Sequence, residues 1–254
     1  MRETIFLQPW GDASHRVEML LERPQTGDPR PAVLLMHGHQ EEEPRPGAFW
    51  TVRSGYLQAI VNAGFVGAAV SMPGYGRSEG APDFCGPRSQ AAVRAGIARL
   101  RSDPCVMADH VGLCGWSRGA IVSSLVAAAE PELACVVLIS GVYDFFDPQI
   151  FVIREIEHVF IEETRGGGPD AKRERSALLQ ANQIHSPTLF VHGDRDERIH
   201  AGQAAELHEH LVRLGRSSRL VTYPETGHRI PSRHLNEHVL PFLKETLGSL
   251  VDSR

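Results

Sequence analysis

Six short apolar runs recur along the chain, at 32–36, 65–70, 110–113, 134–139, 188–192 and 219–223, each bounded by Gly, Pro or Asn/Asp signals. Their length and their β-branched content mark buried strands. Between them lie segments with helical spacing: Val93, Ile97 and Leu100 in one, Ile121, Val122, Leu125, Val126 and Ala129 in the next, Leu207, Leu211 and Leu214 in a third. A β-α alternation of this kind forces a mostly parallel sheet with helices on both faces, because each parallel connection must cross over. Two earlier runs, 4–8 and 17–22, leave room for only a short turn and predict an antiparallel hairpin on one edge. The segment 232–251 is helical in pattern, and Pro241 should kink or split it.

One stretch breaks the alternation. Residues 143–184 carry apolar positions at Ile150, Ile153, Ile156, Val159 and Phe160, then Gly166-Gly167-Gly168-Pro169, then a short apolar segment at 177–180. The spacing predicts a helix, a linker and a second helix, inserted as a small cap over the C-terminal edge of the sheet. The expected organisation is one α/β domain over 1–254 with the cap at 143–184 inside it. The apolar face of 150–160 should pack on its own sheet, with a monomer or a homodimer both open.

Composition narrows the partners. With 26 Lys+Arg against 31 Asp+Glu the formal charge is −5, and no basic run supplies the footprint of a nucleic-acid binder. No apolar stretch approaches the 18 or so residues of a membrane span. Charged and polar residues interrupt the first twelve positions before a signal-peptide core can form. Cys85, Cys105, Cys114 and Cys135 show no CxxC spacing, so reduced thiols and a cytoplasmic setting are expected.

The chemistry gathers at strand ends. Gly115-Trp116-Ser117-Arg118-Gly119 follows one strand and opens a helix, a turn that projects a serine hydroxyl above the sheet edge. A nucleophilic serine needs a base, and the base an orienting carboxylate. The run 188–192 leads into Gly193-Asp194-Arg195-Asp196, and 219–223 leads into Glu225-Thr226-Gly227-His228, so both loops share an edge with Ser117. Ser117, Asp196 and His228 therefore form the candidate triad, with Asp194 and Asp144 as rivals for the acid. An oxyanion hole needs two backbone donors; the N–H groups of Arg118 and of His39, in the loop His37-Gly38-His39-Gln40, are the candidates. Tyr143, Phe145 and Phe146 leave a strand end near Ser117 and are expected to shape an acyl pocket.

Taken together, HGH at 37–39, PGYGRSEG at 73–80, GWSRGA at 115–120, HGDRDERI at 192–199 and GH at 227–228 resemble the α/β-hydrolase superfamily over nearly the whole chain. Within it, GWS with HGDxD is similar to the catalytic domains of the prolyl-oligopeptidase type and to the dienelactone-hydrolase and acyl-esterase proteins near them. The resemblance implies a serine hydrolase acting through an acyl-enzyme, without cofactor. Two departures matter: such peptidases often carry a tyrosine after the serine and a second glycine, where this chain has Arg118 and Ala120. They also generally carry an N-terminal propeller, for which 254 residues leave no room.

Other constellations are weaker. His234-x3-His238 and His208-x-His210 lack an HExxH pattern or a cysteine partner and are expected to be helix-surface residues, with no metal. The run Glu41-Glu42-Glu43 reads as a solvated charge run, or as a site for a substrate amine. PGYGRSEG lacks the Lys-Ser/Thr of a phosphate-binding loop. Arg118, Arg195, Arg198 and Arg229 crowd the triad, and either bind a negative group of the substrate or pair with Glu197, Glu225 and the 41–43 run. Three functions follow: an esterase for small or medium acyl substrates, an aminopeptidase or acylaminoacyl-peptidase acting on short peptides, or a non-catalytic binding protein on a hydrolase fold. The missing propeller and the complete set of triad residue types turn the expectation to the esterase.

Overall fold

The computed structural model describes residues 2–10, 15–25, 28–150 and 153–248. Eight strands form one sheet in the order β1-β2-β4-β3-β5-β6-β7-β8. β1 (Arg2–Leu7) and β2 (Val17–Glu22) are the antiparallel edge hairpin, and β2 also runs antiparallel to β4 (Val66–Val70). From β4 through β3 (Arg30–Met36), β5 (Val106–Trp116), β6 (Cys135–Ile139) and β7 (Thr188–Gly193) to β8 (Ser218–Tyr223) every pairing is parallel. The central strands are buried on both faces, which explains why they read as continuous apolar runs rather than alternating ones.

Chain order reverses beside β3, which sends its successor β4 to one side and β5 to the other. The C-terminal ends of β3 and β5 thus flank a topological switch point, where open sheets of this class hold ligands. β5 extends past the sequence expectation, because Gly115 and Trp116 stay in register with Leu138 and Ile139 of β6.

Two apolar layers sandwich the sheet. One packs α1 (Phe49–Arg53), α2 (Tyr56–Asn62) and α8 (Leu240–Leu247) through Leu57, Ile60, Phe242 and Leu243; the other packs α3 (Pro87–Arg101), α4 (Arg118–Ala129) and α7 (Gly202–Arg213). α4 is buried from Arg118 to Ala128, so it is apolar all round rather than amphipathic. Each fully buried leucine such as Leu125 contributes about 1.5–3 kcal/mol.

The segment 143–184 lies between β6 and β7. It holds α5 (Arg154–Glu163), α6 (Pro169–Arg173) and a 3-10 segment, Ala177–Gln183. α5 starts later than expected, and Ala177–Gln183 is 3-10 rather than α. α6 was hidden by its own sequence: Gly166 and Gly167 take positive φ, but Pro169 opens a helix, where its missing N–H costs nothing. Ile150 and Phe160 are fully buried in the main core, so this face packs on its own chain. At the C-terminal end Pro241 acts as expected: a wide π turn over Leu235–Val239 precedes it, and it sits in the first turn of α8. Residues 249–251 of the expected helix lie outside the described residues.

Candidate active site

Ser117 sits between β5 and α4 with φ 52° and ψ −115°, a conformation that costs a non-glycine residue about 1–3 kcal/mol and persists only where the surroundings enforce it. The enforcement is steric. A Cβ at Gly115 would strike the Gly119 carbonyl, and one at Gly119 would strike the Met36 carbonyl, so only glycine fits at either flank. The Ser117 N–H donates to Ile139 at 2.8 Å, and its carbonyl accepts from Ala120 and Ile121 at 2.9 and 3.1 Å. Ser117 is half-buried between buried Trp116 and Arg118.

The candidate acid and base come from two loops locked together. A Cβ at Gly193 would collide with the Thr226 and Gly227 carbonyls; Arg195 N–H donates to Thr226 at 3.0 Å and Asp194 N–H to Tyr223 at 3.1 Å. This brings Asp196 Oδ2 to 2.9 Å from His228 Nδ1. The Asp196 carboxylate is fully buried and takes three more donors: His192 Nε2 at 3.0 Å on Oδ2, its single proton shared with the Ile199 carbonyl at 3.1 Å, and the backbone N–H groups of Arg198 and Ile199, each at 2.9 Å, on Oδ1. Burial pushes this carboxyl up, but the hydrogen bonds from His192 and His228 outweigh it and hold the group below the usual carboxylate range. With Nδ1–H on a carboxylate, the His228 ring keeps its Nε2 lone pair for a proton. The rivals are elsewhere: Asp194 is exposed, and the Asp144 carboxylate accepts the Phe146 N–H at 2.9 Å.

Three further residues hold this pair and escaped the sequence reading. Besides His192, Glu197 accepts the His228 N–H at 3.0 Å and the Ser140 hydroxyl donates to the His228 carbonyl at 3.3 Å. His192 had a visible signal, as the residue before the Gly-Asp of its motif; Ser140 had none.

The loop after β3 lies against the serine: a Cβ at Gly38 would stand 3.3 Å from Ser117 Cβ. The His37 ring secures the loop, donating from Nδ1 to Gly38 at 2.8 Å and accepting the Met72 N–H on Nε2 at 3.1 Å. Burial lowers its pKa to about 4, so it stays neutral. Arg118 opens α4, where a first-turn N–H has no partner within the helix. Neither this N–H nor that of His39 has an acceptor among the described residues.

The arginines divide. Buried Arg118 places Nη1 2.9 Å from Glu163 of α5, a partner the sequence did not suggest because 45 residues separate the two. Arg195 pairs with Glu225 at 2.7 Å and Arg198 with Glu41 at 3.5 Å, while Arg229 is exposed without an ion pair among the described residues. Of the aromatic candidates, Tyr143 and Phe145 are fully buried and Phe146 is exposed. Phe145 stacks on Phe160 at 5.3 Å and meets Phe84 edge-on at 6.0 Å. His234 corrects the surface expectation: it is fully buried, bonded through Nδ1 to the Pro231 carbonyl at 2.7 Å.

A parallel sheet of this order, with a serine elbow at its switch point and a histidine-aspartate pair beyond the last strands, is the architecture of the α/β-hydrolase serine hydrolases, and this chain is such an enzyme. The model of the prolyl oligopeptidase family matches residues 87–250, and that of the X-Pro dipeptidyl-peptidase (S15) family matches 12–156. The chain belongs to the prolyl oligopeptidase family. It is 28% identical over 187 residues to an uncharacterised peptidase, YtmA, of Bacillus subtilis, covering 72% of each chain. It is 24% identical over 254 residues to human dipeptidyl peptidase 8, covering 89% of this chain and 26% of that one. Among solved structures, an esterase of Pyrococcus furiosus superposes with a TM-score of 0.74 at 16% identity, over 98% of this chain and 93% of that one. An acylaminoacyl peptidase of Pyrococcus horikoshii does so with 0.73 at 16%, over 97% and 40%. No helix among the described residues is long and apolar enough to cross a membrane.

Proposed function

We propose that this serine hydrolase cleaves carboxylic esters of small or medium acyl groups. In this reading Ser117 Oγ attacks the ester carbonyl while His228 Nε2 takes its proton; the N–H groups of His39 and Arg118 hold the oxyanion. The C–O bond then breaks, the alcohol leaves with the proton from His228, and water repeats the sequence on the acyl-enzyme. Asp196 stabilises the imidazolium throughout.

One observation carries the choice of substrate: the acidic side chains around the elbow are already committed, Glu163 to Arg118, Glu41 to Arg198 and Glu225 to Arg195. A peptidase gripping a free ammonium needs an uncommitted carboxylate, so this pairing favours an ester; of the four arginines near the triad, Arg229 alone has no ion pair among the described residues. The second reading, a peptidase releasing N-terminal or acylated amino acids, draws on the family and on the likeness to dipeptidyl peptidase 8.

A p-nitrophenyl ester and the matching aminoacyl and acyl-aminoacyl p-nitroanilides discriminate them. An esterase should show kcat/KM for the ester roughly 10²–10⁴-fold above either anilide, the span that general-acid help to a poor leaving group commands. Comparable values would move the assignment to a peptidase. The pocket can be probed in the same assay. Exposed Phe146 can meet a substrate as it stands, so Phe146→Ala should change the kcat/KM ratio between short and long acyl chains. Phe145→Ala, deep in the aromatic cluster, should instead cost about 3–5 kcal/mol of stability. An unchanged chain-length profile in Phe146→Ala would place the acyl pocket elsewhere.

A further inference from the structure

The motif PGYGRSEG has no part in the triad, yet it delivers one side chain to the other half of the site. Tyr75, 2% exposed, carries its hydroxyl between the two residues whose amides are the oxyanion donors. The oxygen lies 3.1 Å from Arg118 Nη1 and 3.0 Å from His39 Nδ1. Its ring is fixed independently, tilted against His37 at 4.8 Å between centroids and lying beneath the Arg45 guanidinium at 5.1 Å. Beyond Arg118 the chain of polar contacts continues to Glu163 of α5, which also accepts the Phe84 N–H at 2.9 Å.

We infer that Tyr75 is a positioning residue for the oxyanion hole, a single hydroxyl that ties the residues supplying both N–H donors into one rigid unit. The inference rests on the proposed reading of His39, Arg118 and Ser117, and it adds a residue that reading does not contain.

The hydrogen-bond directions are consistent. A guanidinium only donates, so the phenol oxygen accepts from Arg118 and its single proton goes to His39 Nδ1. That requires a neutral His39. Burial first, then the positive charges of Arg118, Arg45 and Arg198, lower its pKa to about 3. Oxyanion stabilisation depends on donors fixed before charge develops, and sub-ångström freedom in either amide erodes it. Side chains at both donors clasped by one atom remove that freedom at both places together. The segment that supplies the clasp follows β4, which is why none of the three strands leading to Ser117, Asp196 and His228 reveals it.

Tyr75→Phe removes the hydroxyl and keeps the ring packing. The expected result with a p-nitrophenyl ester is a kcat lowered roughly 10- to 100-fold, less than loss of a whole oxyanion donor, with KM within about twofold. A trifluoromethyl ketone, which Ser117 would add to reversibly to form a hemiketal oxyanion, should lose affinity by the same factor as kcat. The thermal midpoint should move by only a few degrees. Glu163→Gln provides a second variant that leaves Tyr75 in place but loosens Arg118; it should show the same split with a smaller, roughly fivefold, effect. Mass spectrometry after fluorophosphonate labelling separates the two levels. Label on Ser117 in parent and Tyr75→Phe, together with unchanged kcat and unchanged ketone affinity, overturns the role of Tyr75 alone. A loss in which KM rises as much as kcat falls, with a large drop in midpoint, also overturns it, because that is the signature of a structural tyrosine. Label on another residue in the parent overturns the functional reading and this inference with it.

Discussion

Ser117→Ala should give a folded protein whose kcat on an activated ester is about 10⁴- to 10⁶-fold below that of the parent, the scale on which removal of a triad serine is felt. The fold should survive because the elbow is enforced by its neighbours. Gly115 and Gly119 remain, the backbone bonds to Ile139, Ala120 and Ile121 do not involve the hydroxyl, and alanine bears the same positive φ that serine bears. Circular dichroism and the thermal midpoint check the first half, steady-state ester turnover the second. Turnover at parental rate by Ser117→Ala would remove the serine from the chemistry.

Asp196→Asn should lower kcat by roughly 10⁴, while Asp194→Asn and Asp144→Asn stay within a few-fold of the parent. Four donors converge on the Asp196 carboxylate, and a carboxamide offers one acceptor oxygen and one NH₂ in its place. Whichever way the amide turns, a donor faces a donor, so His228 takes the wrong tautomer and stability falls by about 1–3 kcal/mol. Kinetics should therefore be measured well below the melting temperature. The titration has a definite sign. A carboxylate held below its ordinary pKa contributes stability that is complete above about pH 4 and is lost as pH falls toward the depressed native value. The parent should lose denaturant midpoint between about pH 4 and 2 more steeply than Asp196→Asn, which has no group to protonate there. A larger kcat loss at Asp144 than at Asp196 would move the acid to the strand before the cap.

Much of this was legible in the chain because parallel strands buried on both faces and helices buried on one leave strong, local apolar patterns. The six parallel strands, the edge hairpin and the effect of Pro241 all follow from such patterns. The pairing of Asp196 with His228 was readable because both follow strand ends at one edge. What stayed hidden depends on contacts between distant segments. The α6 helix lay behind three glycines, and its evidence was the proline that follows them. Burial of His234 comes from its ring packing against Tyr56 of α2, a contact between segments far apart in the chain that no local spacing records. The partner of Arg118 was equally invisible, because Glu163 sits on the exposed-looking polar face of a helix until the insertion folds back.

That pair has a consequence for how substrate gets in. Arg118 and Glu163 each keep less than a tenth of their side-chain surface in contact with water. Peeling α5 away would leave Arg118 beneath Phe84 without its counter-charge, at a cost of about 3–5 kcal/mol. Each 1.4 kcal/mol is a factor of ten, so a conformation with this contact broken amounts to on the order of one molecule in a thousand. Traffic to Ser117 that had to wait for it would be throttled by that fraction. A route that leaves this contact intact avoids that cost, whereas a solvated pair such as Arg198 with Glu41 is cheap to rearrange. The segment between β6 and β7 is bolted down at the residue beside Ser117.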